Sequence, residues 1–311
     1  MRSARLAMIA LMGLSGSALA ATPVGRDFPT PGAAIAALIA AARTDRTADL
    51  VRILGPAGRD LVNSGDPVAD HAGRAQFVSN YDQGSKLVEA GPDRTVLEIG
   101  SQDWPFPIPL VRRHGTWHFD TASGRQEILD RRIGRNELGA IEVCRAYAAA
   151  QMEFARMKAA RRELVEYAQQ FESSPGQHDG LFWPQEEGGP ESPLGPQIVS
   201  ARAEGYRKAE GGQAPYHGYF YKILTRQGPA APGGAYDYLA HGHMIGGFAL
   251  VAFPARWGDS GVMSFLISED GTVYEKNLGP DGPATARAMT AFDPDRSWRK
   301  VETSGEAAQA R

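Results

Sequence analysis

Chemistry in this chain has few places to come from. His241-Gly242-His243 places two imidazoles two residues apart. On a strand they would share a face and could begin a metal site, but zinc needs three or four ligands at fixed spacing. Nothing nearby completes the set, and the surrounding "HGHMIGG" favours a turn. "GDSG" at 258–261 has the look of a protease nucleophile region. Such a serine depends on His and Asp held by a particular fold, and no matching His setting is present. Ser260 therefore reads as a polar hairpin residue. Glu269-Asp270 offers two carboxylates, as a glycosidase would need, yet Asp270 before Gly271 is better explained as a turn former. The sequence has no Gly-x-Ser-x-Gly elbow, P-loop or Gly-x-Gly-x-x-Gly cradle. Cys144 is the only cysteine. It sits in "ELGAIEVCRAYAAAQ", where Leu138, Ile141, Cys144 and Ala148 recur at helical spacing, as a small buried apolar residue would. No His lies nearby in sequence to activate it. The expectation is no catalytic residue, no cofactor and no bound metal.

Binding is better served. Arg131, Arg132 and Arg135 cluster near the predicted start of a helix, where an anion could sit. Pairing with Glu127, Asp130 and Glu137 as a solvated patch is the favoured reading. Trp104, Trp183 and Trp257 are candidate partner contacts, because an exposed aromatic side chain anchors interfaces. In "WPFPIPL", Pro105, Pro107 and Pro109 alternate with Phe106, Ile108 and Leu110. Prolines lack a backbone donor, so the segment suits an edge, a bulge or a polyproline-like strip. His114 and His118, on either side of Trp117, are expected to cover surface, and His178 to make a local turn with Asp179.

These residues need elements to hold them. "PGAAIAALIAAAR" (31–43) predicts a helix, and "TADLVRILG" a second one ending at Gly55-Pro56. "SGDPVAD" is a turn with Asp70 as the expected cap, followed by helical "HAGRAQFVSNYDQ". The period then changes: "TVLEIG" alternates as a strand, and two strands flank a His114-Gly115 turn. A mostly helical stretch runs from Gln126 to Phe171, with Gly134 breaking it and Asn136 capping a second piece of about 35 residues, near 50 Å long. The Gly/Pro-rich loop at 173–197 is pinned by Leu181, Phe182 and Trp183, and a short helix begins at Ile198. From Tyr216 the strand period returns, with Asp270-Gly271 marking a hairpin and "FPARWGDSG" joining two strands; a short helix follows. The expected fold class is α+β. A helical and antiparallel N-terminal domain spans 21–133, a long helix, loop and antiparallel sheet span 134–303, and a disordered tail spans 304–311.

Arg2 and Arg5, the apolar run Leu6–Leu14 and the Ala18-x-Ala20 pattern read as a signal peptide over 1–20, cut after Ala20. Cleavage leaves 291 of 311 residues and moves the formal charge from −3 to −5. No dense Lys/Arg surface favours nucleic acid, and no later apolar stretch predicts a transmembrane anchor. The expected location is periplasmic or secreted. A lone cysteine means that the fold must hold by packing and not by internal disulfides.

The stretches "SGDPVAD", "WPFPIPLV", "WHFDTASGRQEILDRRIGRNELGAI", "DGLFWP", "SPLGP", "GYFYKILTRQGPAAPGGAYDYL", "MIGGFALVAFPARWGDSGVMSFLISEDGTVYEKNLG" and "FDPDRSW" resemble the exported bacterial proteins grouped as domain of unknown function 2950. The resemblance covers nearly the whole mature length, with Asn277 and Gly282 departing from it. It implies export and a shared fold, and it brings no catalytic residues. The first half is also weakly similar to the nuclear-transport-factor-2-like cone, and the second half to pilins and pseudopilins. Besides small-ligand binding in the cone-like N-terminal half, two functions are open. One is a non-enzymatic binding or assembly protein of the cell envelope, whose partner is an envelope protein or cell-wall component. The other is an envelope hydrolase acting on cell-wall or polysaccharide material.

Overall fold

The computed structural model describes residues 25–185, 189–206 and 214–302. The expected signal peptide and the expected tail lie outside them.

Helix α1 (Pro31–Arg43) starts where Thr30 accepts the Ala33 N–H at 3.1 Å, with Pro31 in the first helical position. Its buried stripe of Ala34, Ile35, Leu38 and Ile39 faces the first core. α2 (Thr47–Leu54) stops at Gly55, φ 77°, and a single 3-10 turn leads into α3 (Arg59–Val62). α4 (Pro67–Gln83) is capped by Asp66, not Asp70 as the sequence reading had it. Pro67 occupies the first helical position and so fixes the residue before it as the cap. Asp70 accepts the Ser64 N–H from inside the first turn.

The first sheet runs β1 (Ser85–Gly91), β2 (Arg94–Ile99), β4 (Leu110–Arg113), β5 (Thr116–Phe119), with β3 (Trp104–Pro105) also paired to β2. The sequence reading did not find β1, whose seven residues are all exposed and show no buried face. It is an edge strand, blunted by a register shift between Glu89 and Gly91 and by Lys86, which is tied to Glu98 and Asp103. The proline strip is an interruption within the sheet. Between Pro105 and Leu110 the chain takes five steps where β2 takes three, and it buries Ile108 and Leu110. His118 is also buried, at 3 % exposure, and not on the surface as expected. Burial, with help from Arg113, lowers its pKa against the opposing pull of Asp27 and Asp120.

α5 (Thr121–Ala160) is one unbroken helix of 40 residues, about 60 Å long. The expected break at Gly134 is not there, and Asn136 lies in its interior, not at a cap. A glycine costs a helix only about 1 kcal/mol, and α5 is held along its length by packing. Leu129 is buried in its first part, and Ala140, Cys144, Tyr147, Ala150 and Phe154 in its second. Gly124 is where the proline strip crosses it: a Cβ there would stand 2.3 Å from the Pro107 carbonyl oxygen. The helix ends at Ala160, earlier than the expected Phe171. Arg162, at φ 59°, turns the chain, and buried Gln151 holds the returning segment by pairing with both the N–H and the C=O of Ala168 at 2.8 Å.

The loop that follows is anchored by Leu181, Phe182 and Trp183, all buried, as expected, and leads to α6 (Gly195–Ala203). The second sheet uses β6 (Tyr219–Leu224), β11 (Ala249–Pro254), β12 (Met263–Ser268), β13 (Val273–Asn277) and β14 (Arg299–Lys300), in the antiparallel order β14-β13-β12-β11-β6. Two small ribbons, β7 (Arg226–Gln227) with β8 (Tyr236–Asp237) and β9 (Leu239–Ala240) with β10 (His243–Met244), project between β6 and β11. β11 is buried at every position, as an interior strand covered on both faces must be, with α5 on it and α7 (Gly282–Ala288) also in contact.

The buried apolar residues fall into two clusters. One gathers Ile35, Leu38, Ile53, Leu97, Ile108 and Phe119. The other gathers Tyr147, Phe154, Trp183, Phe248, Phe265 and Phe292. The fold is α+β, with N-terminal helices and an antiparallel sheet, the long α5, and a C-terminal antiparallel sheet against it.

Candidate functional site: a polar seam between two cores

Two of the turns named in the sequence, "SGDPVAD" and "GDSG", meet beside α5 where the two cores adjoin. The turn after β11 closes on itself first. The Ser260 hydroxyl accepts the Arg256 N–H at 2.9 Å and donates to the Arg256 carbonyl at 3.1 Å. Ser260 is fully buried, so it holds this turn internally and does not face solvent. The Arg256 guanidinium then reaches across to the Asn63 carbonyl. α5 fastens the same turn from below: Asn136 donates to the Ser260 carbonyl at 2.9 Å, and Glu137 accepts the N–H groups of Val262 and Met263, each at 2.9 Å.

Asp66 is the centre of the arrangement. At 1 % exposure it accepts the Ala69 N–H at 3.0 Å, the Tyr206 hydroxyl at 2.9 Å and the Gly218 N–H at 2.8 Å. It therefore caps α4 and also binds the segment leading into β6. Gly218 has φ 74°, and a Cβ on it would lie 2.5 Å from Asn136 Nδ2.

Charges run along the seam. Arg125 bonds Asp60 at 2.7 Å and lies 3.9 Å from Asp259, which is also 3.9 Å from Arg256. Arg132 donates to the carbonyls of Asp60, at 2.7 Å, and Leu61. Burial lowers its pKa from the usual arginine value, against the support of Asp70, Asp259 and Asp60. Burial raises the pKa of Asp70, and it raises that of Asp259 with Asp60 adding to the effect; the arginines oppose both shifts. An acid whose folded pKa lies above its unfolded one destabilises the fold when ionised. That cost is present above the raised pKa and vanishes below the ordinary 3.8. Asp259→Asn is therefore expected to melt above wild type at neutral pH, with the gap closing toward about pH 4. Melting curves across pH check this; a gap that widens on acidification would contradict it.

The predicted contact residues do not converge. Arg131 lies over the Trp104 ring at 4.9 Å and pairs with Glu127, Arg132 turns into the seam, and Arg135 is exposed on α5. The helix begins at Thr121, ten positions before Arg131, so its terminal N–H groups and the three arginines form no joint anion site. Trp183 is 4 % exposed, stacked on His178 at 4.4 Å and bonded to the Pro190 carbonyl. Trp257 is 36 % exposed and donates to Asn277. His243 pairs with Glu166 at 2.8 Å beside the turn at His241-Gly242. Among the described residues no group of three or more His, Cys, Asp or Glu is placed to hold a metal ion. Burial pushes the Cys144 thiol up to about 12, so it is chemically quiet in the fold.

Two concavities lie away from the seam. A cleft of about 550 Å³ separates α1 from α4. A smaller one, about 270 Å³, lies between α5 and the β12–β13 turn, near Arg145 and Glu269.

Sequence reasoning missed Asp66, Tyr206 and Asn136. Asp66 was open to detection, because an acidic residue directly before a proline that opens a helix is a cap signature. The partnership of Tyr206 with a residue 140 positions away leaves no local trace.

The family model described as "Protein of unknown function (DUF2950)" matches residues 25–301. The chain belongs to this family. That span takes in both cores, α5 and the seam. Comparison with curated proteins finds no match, and comparison with solved structures finds none.

Proposed function

We infer that the protein is an exported, non-enzymatic binding or assembly protein of the bacterial cell envelope. The observation that carries this reading is the clustering of exposed apolar side chains at one end of the second core. Leu164, Val165, Tyr236, Leu239 and Ile245 are 37–52 % exposed, and they make up five of the eleven exposed large apolar residues among those described. The segments bearing them are joined by the bond from Tyr167 N–H to the Met244 carbonyl at 2.8 Å, by the β9–β10 pairing, and by the bond from Ile245 N–H to the Tyr238 carbonyl at 3.0 Å. Apolar groups gathered like this mark interaction surfaces. The seam supports the same reading from the other side: its carboxylates and guanidiniums are engaged with backbone and with one another, holding two cores together. The signal-peptide pattern supports export, and the order of a long helix followed by an antiparallel sheet supports the likeness to pseudopilins.

The test is capture from an envelope extract on the immobilised mature protein, with a doubly substituted Leu164→Glu/Ile245→Glu control whose melting temperature matches wild type. A protein or cell-wall fragment retained by wild type and lost by the control is the expected result. Equal retention by both, or none by either, overturns the reading. Export is checked by the mass of the mature chain, expected to begin at Ala21.

A further inference from the structure

One face of α5 lies open to solvent. Arg135, Leu138, Glu142, Arg145, Ala149 and Met152 are all exposed, and they recur in steps of three and four. A stripe with this 3.5-residue period is the form in which one helix meets another. Leu138 is the most exposed large apolar residue among those described, at 66 %, and Met152 is 40 % exposed. Among the described residues Arg135, Glu142 and Arg145 have no ion-pair partner, whereas Arg131 and Arg156 further along are paired with Glu127 and Glu153. Beside the stripe lies the groove of about 270 Å³ that separates α5 from the β12–β13 turn. From the helix it is lined by Arg145, Ala148, Ala149 and Met152. Their spacing of three, one and three is that of the four residues that form the hole for a knob from a facing helix. Buried Ile267 gives the groove an apolar floor.

We propose that this face docks a second copy of the chain, the two α5 helices running antiparallel about a two-fold axis that passes between Glu142 and Arg145. The stripe is complementary to itself in that register. Leu138 of each copy comes level with Ala149 of the other, at the groove, where it is the knob for the hole. Glu142 comes level with Arg145 of the other copy, and the symmetry makes this contact twice. Arg135 comes level with Met152 and Glu153. Each unpaired charge of the stripe thus meets its opposite. Arg131 and Arg156 come level at the ends, each with its own glutamate beside it. The contact is small, so the dimer is expected at roughly 10–100 μM and is expected to weaken as salt is added.

The charges allow a test in which two defects repair each other. Glu142→Arg sets arginine against arginine in its own dimer, and Arg145→Glu sets glutamate against glutamate. Each variant is expected to self-associate at least about tenfold more weakly than wild type. Mixed in equal amounts, the two variants place opposite charges at both contacts, and a heterodimer at least as tight as the wild-type dimer is expected. Leu138→Glu removes the knob and is expected to weaken association by a similar factor. Sedimentation equilibrium of the mature chain up to about 500 μM reads each case. Recovery in the mixture also shows that the single variants are folded, since misfolded chains would not regain a specific partner. A wild type that stays monomeric throughout, single charge variants that associate as wild type does, a Leu138→Glu chain that associates unchanged, or a mixture no more associated than its components would each overturn the proposal.

Discussion

Replacing Asp66 by Ala is expected to lower the melting temperature by about 10 °C, corresponding to a loss of roughly 3 kcal/mol or more. The carboxylate is the acceptor for three donors, the N–H groups of Ala69 and Gly218 and the hydroxyl of Tyr206, in a place 1 % exposed to solvent. Removing it leaves all three without their acceptor, and each buried orphan costs about 1–3 kcal/mol. Asn is no remedy. Its amide offers one oxygen where three donors converge and presents N–H groups to the others. Asp66→Asn is thus expected to destabilise, whereas Asp259→Asn, at the rim of the same seam, stabilises at neutral pH. A double-mutant cycle with Tyr206→Phe separates the contributions. A coupling energy near zero would show that Tyr206 is not held by Asp66, and the account of the seam would fail with it.

The second large effect concerns two glycines of α5 that helix propensity alone treats alike. Alanine favours a helix over glycine by about 1 kcal/mol. At Gly134 nothing lies within 4 Å of an added Cβ, so Gly134→Ala is expected to stabilise by about that amount. At Gly124 the Cβ would fall 2.3 Å from the Pro107 carbonyl oxygen and 2.8 Å from the Ile108 Cα. Both are backbone atoms that cannot turn aside, and the expected outcome is a loss of about 2–3 kcal/mol despite the propensity gain. Chemical denaturation of the two variants beside wild type decides it. Two changes of the same sign would mean that the proline strip does not rest on α5.

These two positions also show why some of the fold is legible in sequence and some is not. Local signals worked: the Ala-rich period of α1, the stop at Gly55-Pro56, the His114-Gly115 turn and the Asp270-Gly271 hairpin all lie where their residues place them. A local signal failed at Gly134, because what keeps α5 continuous is contact with residues far along the chain. It failed again at β1, where an edge strand without a buried face has no alternation to read. Of the seam, Asp66 was within reach through its proline neighbour. The reach of Arg256 to Asn63 and of Asn136 to Ser260 spans 193 and 124 positions, and no spacing rule connects residues so distant. Trp183 carried two readings, a partner contact and a pin for its own loop, and the structure shows the pin: the ring is buried and its N–H bonds the Pro190 carbonyl.

The enclosed Cys144 gives the molecule a reporter of its own. It is the only sulfhydryl in the sequence and has no exposed surface in the fold, packed between α5 and the second sheet. A thiol-modifying dye added to the native protein has nothing to react with until that region opens. The pace of labelling in the unmodified chain therefore clocks how often the second core exposes its interior, and it does so without any engineered tag.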